Sequence, residues 1–298
     1  MASGPSQQAL FLIRQSLVVV QSYTRHFTRA AAAAEGEAKS AAKSPHDSRS
    51  PEGEEEESKD EEDVLNLIKL LSNLTTSNLD DISEGTRSQA LDAVLQGLFC
   101  VMQLLGVARM IHYPSVYQAF YVLFSQLIIK NPAKLARMKP QDQSKFSECV
   151  LFALKHADAK VARTGLNALR AMTLAIVRSG TSSSSSSSPS ADNVRKLDGM
   201  QRYLFKMLLQ DSLAKELVDP IADALFPLIV ASPNTLNDVA RTTIGTVAPA
   251  DRDTVQRGFK QLLNANGLKR ELSPDNRARF RANVLLFLAN VRSVLQKK

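Results

Sequence analysis

The chain has 298 residues, 44% of them apolar and 22% charged, with 6% aromatics and no Trp. That is core material for one large domain or two ordinary ones, and it excludes wholesale disorder and a collagen-like chain. The two cysteines, Cys100 and Cys149, stand in no Cys-x-x-Cys or Cys/His ligand spacing, which excludes a disulfide-framed secreted module and points to a reducing compartment.

The formal charge of +7 is unevenly spread. Residues 35–63 hold twelve acids against four bases, whereas residues 64–298 hold thirty bases against eighteen acids. Residues 1–34 contain Arg14, Arg25 and Arg29, no acid, and an apolar stripe of Leu10, Ile13, Leu17 and Val20. They are expected to form the first amphipathic helix of a packed array; the alternative is a mitochondrial transit peptide. Residues 35–61 carry the run Glu54-Glu55-Glu56-Glu57 and few large apolar residues, so burial cannot offset their ordering entropy, and a disordered acidic insert is expected. A second low-complexity insert, the polyserine loop at residues 181–192, has no helical period and is also expected to be disordered.

Between and after these inserts, at residues 62–180 and 193–298, the period is helical. Phe146, Cys149, Val150, Ala153 and Leu154 fall at i, i+3, i+4, i+7 and i+8 on one face. Val161, Gly165, Ala168, Leu169, Met172 and Ile176 repeat the pattern after a short connection at 156–159, so two helices are expected to pair antiparallel. Further periodic stretches begin near Glu62, Arg87, Pro114, Asn193, Leu213, Asn234, Arg252 and Pro274. Pro220 and Pro227 are expected to start or kink a helix within 213–231. Residues 114–130 are apolar nearly all round and must be enclosed by neighbours. No stretch alternates apolar and polar residues with β-branched enrichment, so no sheet is expected.

The fold class is therefore all-α. Asp158, Val161-Ala162-Arg163 and 165–169 resemble the second helix of a HEAT repeat: the acid caps the start and small residues admit a close neighbour. Val161-Ala162-Arg163-Thr164 recurs as Val239-Ala240-Arg241-Thr242, about two HEAT lengths later. An α-solenoid of HEAT-like antiparallel helix pairs, interrupted by the two inserts, is the expected architecture.

Catalytic chemistry finds no foothold in the motifs. There is no Gly-Lys dipeptide, no Gly-x-Gly-x-x-Gly, no Gly-x-Ser-x-Gly and no His-Glu-x-x-His, and the four histidines are scattered. No enzyme, metal or cofactor is expected. Cys149 falls on a core stripe, where a thiol behaves as a small hydrophobe. The longest apolar runs are interrupted by Gln103 and Gln126, so no membrane insertion is expected. What remains is charge: residues 257–298 hold ten bases against Glu271 and Asp275. Lys269, Arg270, Arg277, Arg279 and Arg281 are the candidate partner-binding residues, for an acidic protein surface or for RNA. RNA is disfavoured because no aromatic stacking stripe accompanies the charge. The competing reading is a solvated helix face behind Phe280, Val284, Phe287, Leu288, Val291 and Leu295.

Tyr113-Pro114, Phe120-Tyr121, Leu123, Pro132 and Lys134 resemble a pattern of the exportin-4 and exportin-7 branch of the importin-β-like nuclear transport receptors, the karyopherins. Residues 63–74 are similar to the leucine-rich helix after that branch's acidic insert. Phe280, Phe287-Leu288, Asn290-Val291-Arg292 and Leu295 are similar to the closing helix of exportin-4. The turn at 138–143 lacks the family's Leu-Pro step, and the polyserine insert is foreign to it.

The resemblance implies a non-catalytic receptor segment that contributes to protein cargo binding in Ran-GTP-dependent export and shuttles between nucleus and cytoplasm. It also implies contact with nuclear pore proteins, and Ran-GTP as a partner only where the N-terminal arch, expected to be missing from this chain, is supplied. A HEAT-type scaffold unrelated to transport and a mitochondrial helical RNA-binding protein are the alternatives that the residues leave open.

Overall fold

The computed structural model describes residues 51–76, 84–110, 113–131, 140–156, 158–182, 191–210, 213–269 and 271–295, together with 11, 15, 16, 18–23 and 25. Every regular element among the described residues is helical. The helices are α1 (Pro51–Thr76), α2 (Glu84–Met110), α3 (Pro114–Lys130), α4 (Pro140–Leu154), α5 (Ala159–Ser182) and α6 (Ala191–Leu208), then α7 (Val218–Ala231), α8 (Pro233–Thr246), α9 (Arg252–Asn264) and α10 (Pro274–Leu295). Short 3-10 turns at Lys215–Leu217, Pro249–Asp251 and Ala265–Gly267 lead into or out of the later helices. The chain divides into two compact units, residues 1–127 and 128–298.

In the first unit, α1 packs against α2. Val64, Leu67, Ile68 and Leu71, at i, i+3, i+4 and i+7, are buried on α1, and Ala90, Leu91, Val94, Leu95 and Leu98 are buried on α2. Gly97 permits the close approach: a Cβ there would stand 2.9 Å from a Val20 methyl and 3.1 Å from Leu71. Helix α1 starts at Pro51 rather than near Glu62, so the acidic residues from 51 to 61, expected within the disordered insert, are helical instead. Composition was a poor guide there because Glu is a good helix former whether or not it is buried. A proline in the first turn followed by acids also suits a helix N-terminus. Residues 35–50 and 183–190, the remainder of the two expected inserts, lie outside the described residues.

Helix α3 carries a ladder of rings. Tyr117 and Tyr121 lie 4.7 Å apart and Phe120 and Phe124 5.8 Å apart, each pair one turn along the helix. All four are buried, as the all-round apolar pattern requires, although Val122 and Ile129 remain exposed on one narrow stripe.

In the second unit, α4 and α5 pair across the short connection at 155–158, as the spacing predicts. Asp158 caps α5 by accepting the Lys160 amide at 2.8 Å, and its own amide donates to Nδ1 of His156 at 3.0 Å. Beyond this hairpin the helices pack in two rows. In one row α5 contacts α7 and α7 contacts α10; in the other α6 contacts α8 and α8 contacts α9. Pairs α6·α7 and α9·α10 tie the rows together, which is the two-layer order of a helical solenoid. Helix α8 breaks strict pairing, because it follows α7 after Ser232 alone and joins the α6 row.

Between the rows lie Phe205, Phe259 and Phe287, with ring centroids 6.2 Å and 4.9 Å apart, while Phe226 stacks on Phe280 at 5.2 Å between α7 and α10. In the α6 row, Thr235 donates to Asp198 at 2.6 Å and Arg202 pairs with Asp238 at 3.0 Å. Pro220 falls in the first turn of α7, where its missing N–H costs little, and Pro227 falls inside it, so the helix forgoes the bond to the Asp223 carbonyl.

Two glycines mark how closely these helices approach. A Cβ on Gly165 of α5 would stand 2.6 Å from the Ala153 Cβ of α4, an atom with no rotamer by which to yield. Gly199 on α6 has nothing within 4 Å. The same substitution therefore has opposite signs at the two sites. Gly199→Ala should raise the urea midpoint by the equivalent of about 0.5–1 kcal/mol, through helix propensity. Gly165→Ala should lower it by about 1–3 kcal/mol, because the hairpin must spread.

Candidate functional site

Helix α7 is almost wholly apolar and wholly buried from Ile221 to Ile229, with one exception: Asp223, 8% exposed. A carboxylate so placed must be met by donors, and two neighbouring helices supply them. From α10, Arg281 forms a two-pronged pair, its Nε donating to one carboxylate oxygen at 2.5 Å and its Nη2 to the other. From the same helix one turn earlier, Arg277 Nε stands 3.8 Å from Asp223, and from α5 Arg170 Nη1 stands 4.0 Å away. Three guanidinium groups thus face one buried acid.

Each helix of this row contributes an i, i+4 stripe: Arg170, Leu174 and Arg178 on α5, Asp223 and Pro227 on α7, Arg277 and Arg281 on α10. Along with Phe226 and the Leu272-Ser273-Pro274 entry to α10, all but Arg281 line a cavity of about 120 Å³. The side chains of Arg170 and Arg277 keep a third of their surface in solvent, so the cavity has a polar mouth over an apolar floor. The hydrogen bond that Arg281 donates to Asp223 raises the pKa of its guanidinium. Burial lowers that of Arg170, and repulsion from Arg277 adds to the fall.

The mouth is set by the turn before α10. Asn266 and Gly267 adopt left-handed backbone, with φ of 56° and 62°. Two buried asparagines of α10 hold that turn. Asn283 donates to the carbonyls of Leu262 and Ala265 at 3.2 and 3.1 Å and accepts from Asn266 at 2.7 Å. Asn276 accepts the Lys269 amide at 3.2 Å and donates to the Glu271 carbonyl at 3.2 Å, while Ser273 Oγ caps the helix by accepting the Asn276 amide at 3.2 Å.

The five basic residues singled out from the sequence separate on this frame. Arg277 and Arg281 turn inward to Asp223. Arg279 is exposed and donates to the Gly267 carbonyl at 2.9 Å, bracing the turn. Lys269 is exposed, and its backbone is held by Asn276. Arg270 lies outside the described residues. Sequence reasoning missed Arg170, Arg178 and Asp223. A signal for them existed: one acid in the middle of an apolar helix, and arginines spaced by eight on one face of another.

Cys149 is buried on α4, and burial pushes its thiol from 9.0 up to about 12. In a Cys100→Ser variant, Cys149 should therefore resist a thiol reagent at pH 8 and react only on unfolding, and fast labelling of that folded variant would contradict the burial. By linkage, this thiol's contribution to stability is complete below pH 9 and is lost progressively as pH rises from 9 toward 12, because the unfolded chain ionises first. Among the described residues no group of three or more His, Cys, Asp or Glu is placed to hold a metal ion. No described helix is long and apolar enough to cross a membrane.

No curated protein matches the chain. Residues 54–187, somewhat under half of it, match the family model described as CRM1 C terminal, and over that stretch the chain is similar to the C-terminal region of exportin-type, karyopherin-class transport receptors.

Proposed function

We propose that this chain is a helical-repeat segment of a nuclear export receptor, acting by holding protein cargo rather than by catalysis. The observation that carries the reading is the match at residues 54–187, which spans the leucine-rich helix α1, the ring ladder of α3 and the α4–α5 hairpin. The finer likeness to the exportin-4 and exportin-7 branch is supported by Tyr113-Pro114 and Phe120-Tyr121. Helix α3 begins at that proline, and both rings of the pair are buried.

In this reading the chain contributes part of a cargo surface in Ran-GTP-dependent transport and engages nuclear pore proteins while passing between nucleus and cytoplasm. Ran-GTP itself is bound where an N-terminal arch is supplied. Stacked helical pairs suit the work because strain is shared among many similar interfaces, so curvature can adjust to a partner.

The test is a pull-down from nuclear extract with the full chain as bait, with and without Ran locked in the GTP state, alongside imaging of a fluorescent fusion. Ran-GTP-sensitive capture of protein partners and a fusion present in both compartments are expected. Partners captured indifferently to Ran-GTP by a fusion confined to the cytoplasm would overturn the transport reading in favour of a general scaffold. Import into mitochondria would overturn both.

A further inference from the structure

We infer that the cavity between α5, α7 and α10 is a recognition site for a partner peptide, taking the carboxylate of an Asp or Glu side chain against Arg170 and Arg277. The inference concerns the ligand of this cavity and does not depend on the transport reading, since an acidic segment would bind here whatever larger task the chain performs.

The argument starts from an imbalance of charge. Both oxygens of Asp223 accept from the fork of Arg281. Arg170 and Arg277 stand at 4.0 and 3.8 Å, within ion-pair range but beyond hydrogen-bond length. Arg170, Arg277 and Arg281 thus gather around a single carboxylate that all three share. Even after Asp219, the other acid acting on Arg281, is counted, positive charge is in excess. Burial is the main cause of the lowered Arg170 pKa, and the repulsion from Arg277 that adds to it is relieved when an anion enters between the two arginines.

Shape and chemistry narrow the anion. The space of about 120 Å³ is several times what a water needs and holds one carboxylate side chain with its methylenes. Guanidinium groups bind carboxylates through paired N–H donors. The floor of Leu174, Phe226 and Pro227 gives an adjoining apolar residue somewhere to rest, so the preferred segment carries an acid beside an aliphatic or aromatic residue. A phosphate dianion is disfavoured because Asp223 forms part of the same wall. A nucleic acid strand is disfavoured because no ring in the lining offers an exposed stacking face, Phe226 being 4% exposed.

The test uses fluorescence anisotropy with the full chain and a labelled twelve-residue peptide of alternating Glu and Leu or Phe. Its Gln counterpart, inorganic phosphate and a single-stranded oligonucleotide serve as comparisons. Saturable binding of the Glu peptide is expected, at least tenfold tighter than the Gln peptide. It should weaken at least tenfold in the double variant Arg170→Gln, Arg277→Gln and stay within twofold in Arg163→Gln, Arg241→Gln, whose side chains are exposed elsewhere on the same unit.

Asp223→Asn, which removes the competing carboxylate, should bind the Glu peptide more tightly while folding less stably. That is the opposite of what a merely structural cluster would give. Circular dichroism verifies that each variant folds. Equal weakening in both double variants, displacement of the peptide by phosphate at equal concentration, tighter binding of the oligonucleotide, or no saturable binding by the folded wild-type chain would overturn the proposal.

Discussion

Phe287→Ala is expected to lower the unfolding free energy of the second unit by about 3–5 kcal/mol. The ring is 1% exposed, meets Phe259 edge-on at 4.9 Å, and lies over Gly258, whose missing side chain is what lets α9 approach α10. A Cβ on Gly258 would come within 2.6 Å of Val291 and 3.3 Å of Phe287. Truncating the ring removes the apolar burial and opens a void that neighbours on two helices cannot both collapse into. Urea unfolding followed by far-ultraviolet circular dichroism measures the loss. A shift below about 1 kcal/mol would mean that the α9–α10 interface is far looser than the ring spacing implies.

Asp223→Ala should cost about 2–3 kcal/mol, the penalty for breaking a buried ion pair discounted because its arginine partners are one-third exposed. The carboxylate is the one group that Arg170, Arg277 and Arg281 share, so its removal leaves three cations crowded without a counter-charge. Thermal unfolding should fall by about 4–12 °C for a unit of this size. The control is the double variant Asp223→Ala, Arg281→Met, which removes the best-matched charge with its partner and should recover part of the loss. If the single and double variants are equally stable, repulsion among the arginines is not what the acid offsets.

The sequence made some of this legible, for identifiable reasons. The α4–α5 hairpin was readable because its apolar period is clean on both sides of a short turn and Asp158 announces the cap that it makes. Gly165 was readable as a point of close approach because small residues recur on that face. Arg277 and Arg281 were found by charge density, but so were Lys269 and Arg279, which have other duties, because density along a chain does not say which way a helix turns its side chains.

Asp223 and Arg170 were missed for the complementary reason. They lie 53 residues apart, and only the packing of α5 on α7 brings them together. Asn276 and Asn283 were invisible as staples, since an asparagine on a helix reads as solvent-facing until the turn it satisfies is known. The helix start at Pro51 was lost to composition, which weighs burial and is blind to local helix propensity.

The meeting of α5, α7 and α10 at one acid also bears on how the second unit comes apart. In a row held by neighbour contacts alone, the last helix can peel away and leave its predecessors intact. Here detaching α10 would strip Asp223 of its strongest partner and uncover Phe280, so departure of the end helix undermines the middle one. The row should therefore resist unzipping and melt as a single block, with amide protons on α5, α7 and α10 exchanging together rather than in order of distance from the end.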